Sequence, residues 1–161
     1  MRANDLETIG NSFTGSYSYT LDAKGRINIP AKMRKALNPA NDRTFMATRG
    51  ADPCIVLYPV EVWQQIAAKL LSLNKRRALH RHYTRNIARY AEALQYDHQG
   101  RIALPAGLID YAGIGKNVKI VGMIDHIEIW EPERLEESDN QYADQLDDLD
   151  TISDEIFSLP L

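Results

Sequence analysis

The sequence predicts an α+β chain built from two related β-rich halves, with a helical hairpin inserted between them. Three observations carry this reading. A block of 11 residues occurs twice, as Leu21–Ala31 and Tyr96–Ala106. A second, weaker match follows each copy. Between the copies, the apolar residues change from strand-like alternation to helical spacing.

The two copies read Leu-Asp-Ala-Lys-Gly-Arg-Ile-Asn-Ile-Pro-Ala and Tyr-Asp-His-Gln-Gly-Arg-Ile-Ala-Leu-Pro-Ala, identical at 6 of 11 positions. The second match sets Ile55-Val-Leu-Tyr-Pro59 against Ile127-Glu-Ile-Trp-Glu-Pro132, with one extra residue before the proline. Two copies are too few for a solenoid, which needs three or more. They fit two halves packed about a pseudo-twofold axis.

Each half then reads in the same order. A strand is expected at 16–21 and again at 93–96, the first copy β-rich and partly alternating. Turns follow at Asp22–Gly25 and Asp97–Gly100, where Asp suits the first turn position and Gly supplies a positive φ near the end. Strands resume at 26–29 and 101–104. Pro30 and Pro105 end them and suit a helix start. Short helices are expected at 31–37 and 106–111. Further strands are expected at 44–48, 55–58, 118–122 and 127–130. Tyr17 and Tyr19 alternate with serines, so one tyrosine face packs inward or at a subunit contact.

The insert begins with Trp63, Ile66, Ala67, Leu70 and Leu71, which fall on one helical face. Asn74 breaks that helix. A second is expected from about Lys75 to Glu92, with Leu79, Tyr83, Ile87 and Tyr90 or Ala91 turned inward. Beyond Glu136 the chain is acidic and expected to be mobile, although Leu146, Leu149, Ile152 and Ile156 share a spacing that forms one short docking face. The expected organisation is an extension at 1–12, a first half at 13–63, linking helices at 64–92, a second half at 93–137 and an acidic tail at 138–161.

The formal net charge of -3 conceals an asymmetry. Residues 1–94 hold 15 Lys and Arg against 7 Asp and Glu, whereas residues 95–161 hold 4 against 15. A basic body with an acidic tail fits binding to a polyanion, although surface charge also serves simply to keep a protein solvated. Cys54 is the single cysteine, so no intrachain disulfide is expected, in keeping with a reducing cytoplasm. No apolar run approaches the roughly 18 residues of a membrane helix, and residues 1–11 lack the apolar core of a secretory signal.

The Asp-x-Lys-Gly-Arg and Asp-x-Gln-Gly-Arg turns are the sharpest signals. They place a basic side chain just past a hairpin tip, where Lys24, Arg26 and Arg101 meet phosphates or base edges. The plainer reading is an Asp–Arg pair that locks the turn. Both apply: Asp22, Gly25, Asp97 and Gly100 organise the turns that aim the arginines. Arg77, Arg81, Arg85 and Arg89 recur every fourth residue, a stripe that reads first as a solvated helix face. His80 and His82 point apart on a helix and make a poor metal pair, and no metal or cofactor is expected. Gly113-Ile-Gly-Lys116 fails the phosphate-loop pattern. No activated nucleophile or acid–base pair can be assembled, so no enzyme activity is expected.

The stretch Ser16-Tyr-Ser-Tyr-Thr-Leu-Asp-Ala-Lys-Gly-Arg-Ile-Asn-Ile-Pro-Ala-Lys-Met-Arg34 resembles the opening signature of the MraZ family. The second block up to Pro105, and Gly115–Glu131, resemble its second half. The resemblance covers about residues 13–137 and is specific in spacing. It implies two AbrB-like swapped-hairpin halves forming a pseudo-dimeric β-barrel in one chain, and a ring-shaped homo-oligomer. It further implies a nucleoid-associated repressor of the division and cell-wall gene cluster, bound to tandem repeats in double-stranded promoter DNA. The family's Asp-x-x-x-Arg motif falls on Asp22/Arg26 and Asp97/Arg101. Its lysine falls on Lys24, but the second copy has Gln99, a departure at the second tip. Antitoxins of this fold usually carry one hairpin unit and a toxin-binding tail, unlike this duplicated chain. The rival from another class is a ring scaffold that binds proteins.

Overall fold

The structure is a computed structural model that describes residues 12–160; the extension at 1–11 lies outside them. The fold is mixed α+β. The first half supplies β1 (Ser16–Thr20), β2 (Arg26–Asn28), helix α1 (Ala31–Ala36), a 3-10 turn at Pro39–Asn41, β3 (Thr44–Arg49) and β4 (Ile55–Pro59). The linking helices are α2 (Val60–Leu71) and α3 (Ala78–Ala88). The second half supplies β5 (Glu92–Gln95), β6 (Arg101–Ala103), α4 (Ala106–Ala112), β7 (Asn117–Gly122) and β8 (Ile127–Trp130). These bounds fall within two residues of the expected strands.

All strand pairing is antiparallel, and its order carries the duplication. The large sheet runs β1-β7-β8-β4-β3-β5, and β2 pairs with β6 in a separate ribbon. Exchanging each strand for its counterpart in the other half and reversing the order returns the same list. Each half's first strand pairs in the other half: Tyr17 lies opposite Ile120, and Leu94 opposite Phe45. The halves meet at Val56↔Glu128 in the sheet and at Ile27↔Ile102 in the ribbon.

Period-two alternation fills one continuous core. Ile27, Ile29, Ile102 and Leu104 come from the ribbon strands and their ends, Met33 and Leu108 from α1 and α4, and Phe45, Leu57, Ile120 and Ile129 from the sheet. Tyr17 and Tyr19 pack against it, while the neighbouring serines are exposed. Pro30 and Pro105 precede α1 and α4, as the repeat predicts. Asn41, buried in the loop after α1, accepts a hydrogen bond from Val60 N–H at 2.7 Å through its side-chain oxygen. That bond satisfies one of the open donors at the start of α2.

The second linking helix departs from expectation. Residues 75–77 are taken up in a turn, in which Asn74 accepts from the backbone N–H of Arg76 at its side chain and of Arg77 at its carbonyl. Glu92 joins β5 opposite Ala47. The expected inward face also fails at two positions, since Leu79 is 72% and Tyr83 58% exposed. The tether from β3 reaches the other end of α3, where Thr48 Oγ donates to the carbonyl of Ile87 at 2.8 Å.

The chain divides after Glu131 into a second compact unit. The acidic stretch expected to be mobile is helical, forming α5 (Pro132–Tyr142) and α6 (Leu146–Phe157). Pro132 opens α5, and Asp147 and Asp148 stand in the first turn of α6, where a helix N-terminus favours negative charge. Leu146, Leu149, Ile152 and Ile156 share this helix and are all exposed. Among the described residues, no helix is long and apolar enough to cross a membrane, and no group of three or more His, Cys, Asp or Glu could hold a metal ion.

Candidate nucleic-acid interface

The two Asp-x-x-Gly-Arg turns are built alike. In the first, Gly25 N–H donates to the carbonyl of Asp22 at 3.0 Å, and Asp22 N–H to the carbonyl of Arg26 at 2.9 Å. One carboxylate oxygen of Asp22 accepts from the backbone N–H groups of Lys24 and Arg26, each at 2.9 Å. The other accepts from Arg26 Nε at 2.7 Å. In the second turn, Asp97 accepts from the backbone of Gln99 at 2.9 Å and of Arg101 at 3.0 Å, and from Arg101 Nε at 3.0 Å. Gly25 and Gly100 have φ of 74° and 78°, a conformation that glycine adopts without steric cost.

These bonds set the electrostatics. The Asp22 carboxyl is held below its ordinary pKa, foremost by the backbone N–H of Arg26, with the guanidinium and Lys24 N–H adding to it. Asp97 is lowered in the same way by Arg101 and Gln99. Both aspartates are therefore ionised at neutral pH and largely offset the charge of their arginines. The turn-locking part of the expectation is what these bonds show: each carboxylate fixes the direction of its guanidinium.

The ribbon decides which way the arginines face. Arg26 lies opposite Ala103, Ile27 opposite Ile102 and Asn28 opposite Arg101. Directly paired residues share a face and the period is two. Ile27 and Ile102 therefore point into the core, each 1% exposed, while Arg26, Asn28, Arg101 and Ala103 form the outer face. Arg26 and Arg101 are diagonal neighbours there, a relationship that spans about 7–8 Å in a regular ladder. Their side chains remain 28% and 26% exposed. Lys24 is exposed at the first tip.

Among the positions at which the repeats differ, one bears directly on both tips. Continuing the repeat past Ala31 and Ala106 aligns Arg34 with Ile109. Each covers the tip of the opposite half: a Cβ on Gly25 would lie 3.6 Å from Ile109 Cδ1, and one on Gly100 only 2.6 Å from Arg34 Cζ. Cross-half hydrogen bonds frame both tips, from Leu104 N–H to the carbonyl of Gly25 at 3.0 Å and from Ile29 N–H to that of Gly100 at 2.8 Å. Arg34 was not among the residues singled out from sequence. The available signal was a cation aligned with an apolar residue just past the matched block.

The other sequence candidates lie elsewhere. Arg77, Arg81, Arg85 and Arg89 are exposed on or next to α3, and Arg81 donates to the carbonyls of Lys75 and Arg76. His80 and His82 are engaged separately, by the backbone N–H of Asn74 and by the Asn86 side chain. His126 pairs with Asp125 at 2.6 Å. Cys54 is buried, its thiol donating to Glu128 at 3.6 Å, and burial above all pushes its pKa far up.

A duplicated chain whose halves exchange strands and present twin Asp-locked arginines on one ribbon defines a narrow class of protein. A family model described as "MraZ protein, putative antitoxin-like" matches it twice, over residues 12–86 and 87–154. The chain belongs to the MraZ family. It is similar to the transcriptional regulator MraZ of Syntrophomonas wolfei, 45% identical over 76% of this chain and 82% of that protein. Its likeness to the protein of that name from Natranaerobius thermophilus is 37% identity over 89% of this chain and 96% of the relative. For that of Lactobacillus delbrueckii the figures are 41%, 87% and 98%.

Proposed function

We propose that this chain is a transcription regulator that binds promoter DNA through the β2–β6 ribbon and its two tips. The observation that carries the reading is the outer face of that ribbon, where Arg26 and Arg101 stand diagonally across from each other over a buried Ile27–Ile102 pair. A two-stranded ribbon fits the major groove, where the free nitrogens of an arginine can read guanine. Lys24, a mobile point charge, suits a phosphate. The names carried by the relatives support the same class of function.

The swapped-hairpin barrel belongs to this reading, supported by the pairing of each half's first strand with the other half. One subunit offers few phosphate contacts, so its binding alone is weak and salt-sensitive. A ring of subunits on tandem repeats multiplies that affinity without adding contacts per subunit. The target is the promoter of the chain's own division and cell-wall gene cluster, which places the protein at the nucleoid in the cytoplasm. Binding there represses transcription, with no catalytic step.

The test is a mobility-shift titration on DNA from upstream of the chain's own gene, with scrambled competitor, at two salt concentrations. The expected result is a salt-sensitive shift that survives competitor and is lost in Arg26→Ala, with the oligomer unchanged by light scattering. Equal binding by Arg26→Ala would remove the ribbon from the interface. Binding to protein partners with little salt dependence, and no shift on DNA, would favour the scaffold.

A further inference from the structure

The second hairpin tip lacks the lysine of the first, yet it does not lack a cation. We infer that Arg34, reaching across from α1, is the phosphate contact of the second tip and stands in for the missing lysine. This rests on the DNA-binding reading above.

Within each turn the Asp–Arg pair is close to neutral, so the charge a tip offers to DNA depends on what else stands there. At the first tip that is Lys24. At the second, Gln99 occupies the equivalent place and carries no charge. The same repeat alignment that loses the lysine at Gln99 gains an arginine at Arg34, where the other half has Ile109. Because helices cover the tips of the opposite halves, that arginine lies on the tip that needs it. Its guanidinium lies so close over Gly100 that a Cβ there would come within 2.6 Å of it.

Its orientation is fixed from one side. Arg34 Nε donates to the carbonyl of Ile29 at 3.0 Å, and no carboxylate among the described residues pairs with Arg34. Arg34 is half-buried and lines a cleft open to solvent. This cleft, of about 360 Å³, reaches Tyr96, with Lys35 and Arg43 adding two cations against the single acid Asp42. A planar guanidinium over a glycine, with cations behind it, suits a backbone phosphate. The two departures from the repeat thus compensate in space, and both tips grip the duplex.

The test compares full-length wild type, Arg34→Ile, Arg34→Gln, Lys24→Gln and the double variant Arg34→Ile/Gln99→Lys. Isoleucine copies the other half, and glutamine keeps much of the length without the charge. The probes are a duplex from upstream of the chain's own gene and a scrambled duplex of equal length, titrated between 50 and 200 mM salt. Removing one phosphate contact takes about 0.9 off the slope of log affinity against log salt for each engaged subunit. Arg34→Ile, Arg34→Gln and Lys24→Gln are each expected to show that loss, and Gln99→Lys to restore it in the Arg34→Ile background. Wild-type slope and affinity in both Arg34 variants, beside a weakened Lys24→Gln, would overturn the inference and leave the DNA reading standing. A wild type that binds neither duplex would overturn both.

Discussion

Ile27 and Ile102 lie directly opposite each other in the ribbon, and each is 1% exposed. They are counterparts in the repeat, so the contact is one residue meeting its own equivalent across the pseudo-twofold axis. The same pair holds the ribbon on the core and fixes which face its arginines occupy.

Truncating either isoleucine leaves a cavity where the halves join. Ile27→Ala and Ile102→Ala should each cost about 2–5 kcal/mol, with similar values because the sites are equivalent. The double variant should cost less than their sum, since the two share one contact. Urea unfolding followed by circular dichroism measures all three.

The locked turns predict a pH dependence. Asp22 and Asp97 have lowered pKa values in the folded chain. Their stabilisation is therefore present above the ordinary carboxylate pKa and is lost as pH falls through the lowered values. Asp22→Asn/Asp97→Asn should be less stable than wild type at pH 7, and the two unfolding midpoints should converge toward pH 2. A constant gap across that range would show that the charge is irrelevant.

The tip glycines should not be equivalent. Alanine at either must adopt a positive φ, at a cost of roughly 1–2 kcal/mol. At Gly25 the added Cβ meets Ile109 at an ordinary 3.6 Å, whereas at Gly100 it collides with Arg34 at 2.6 Å. The end of the Arg34 side chain must move aside and give up its hydrogen bond to the Ile29 carbonyl, so Gly100→Ala should be the more destabilising, and adding Arg34→Ala should narrow the difference. Thermal unfolding of the four variants tests the order.

Cys54 should be unreactive in the folded protein. It is fully buried beside Glu128, and both burial and that carboxylate oppose the thiolate that alkylating reagents need. Labelling by iodoacetamide at pH 8 should be slow in buffer and fast in concentrated urea. Rapid labelling of native protein would mean that the Gly50–Cys54 loop opens.

Most elements of the first unit were legible in the sequence because local signals mark them. Prolines 30 and 105 announce helices, Asp and Gly announce turns, and the alternation of serine and tyrosine announces β1. The pairing order was not legible, because nothing near Tyr17 says that its partner is Ile120 rather than a residue of its own half. The inward face of α3 was misread at Leu79 and Tyr83, since periodicity reports an apolar stripe but not whether anything covers it. The tail, expected to be mobile for its acidity, is helical, and the spacing of Leu146, Leu149, Ile152 and Ile156 already marked one face of that helix. At the candidate interface, the sequence supplied Lys24, Arg26, Arg101 and their aspartates. Arg34 was hidden because it serves a tip far from it along the chain.

The exchange of strands between halves also governs when this chain can fold. β1 has no partner until β7 has been made, since Tyr17 must wait for Ile120. At roughly 5–20 residues per second of synthesis, the N-terminal strand spends on the order of ten seconds as an unpaired edge on the ribosome. Long-range pairing of this kind makes folding slow. The serines that alternate with the tyrosines of β1 keep one face of that waiting strand polar and limit what else it can join.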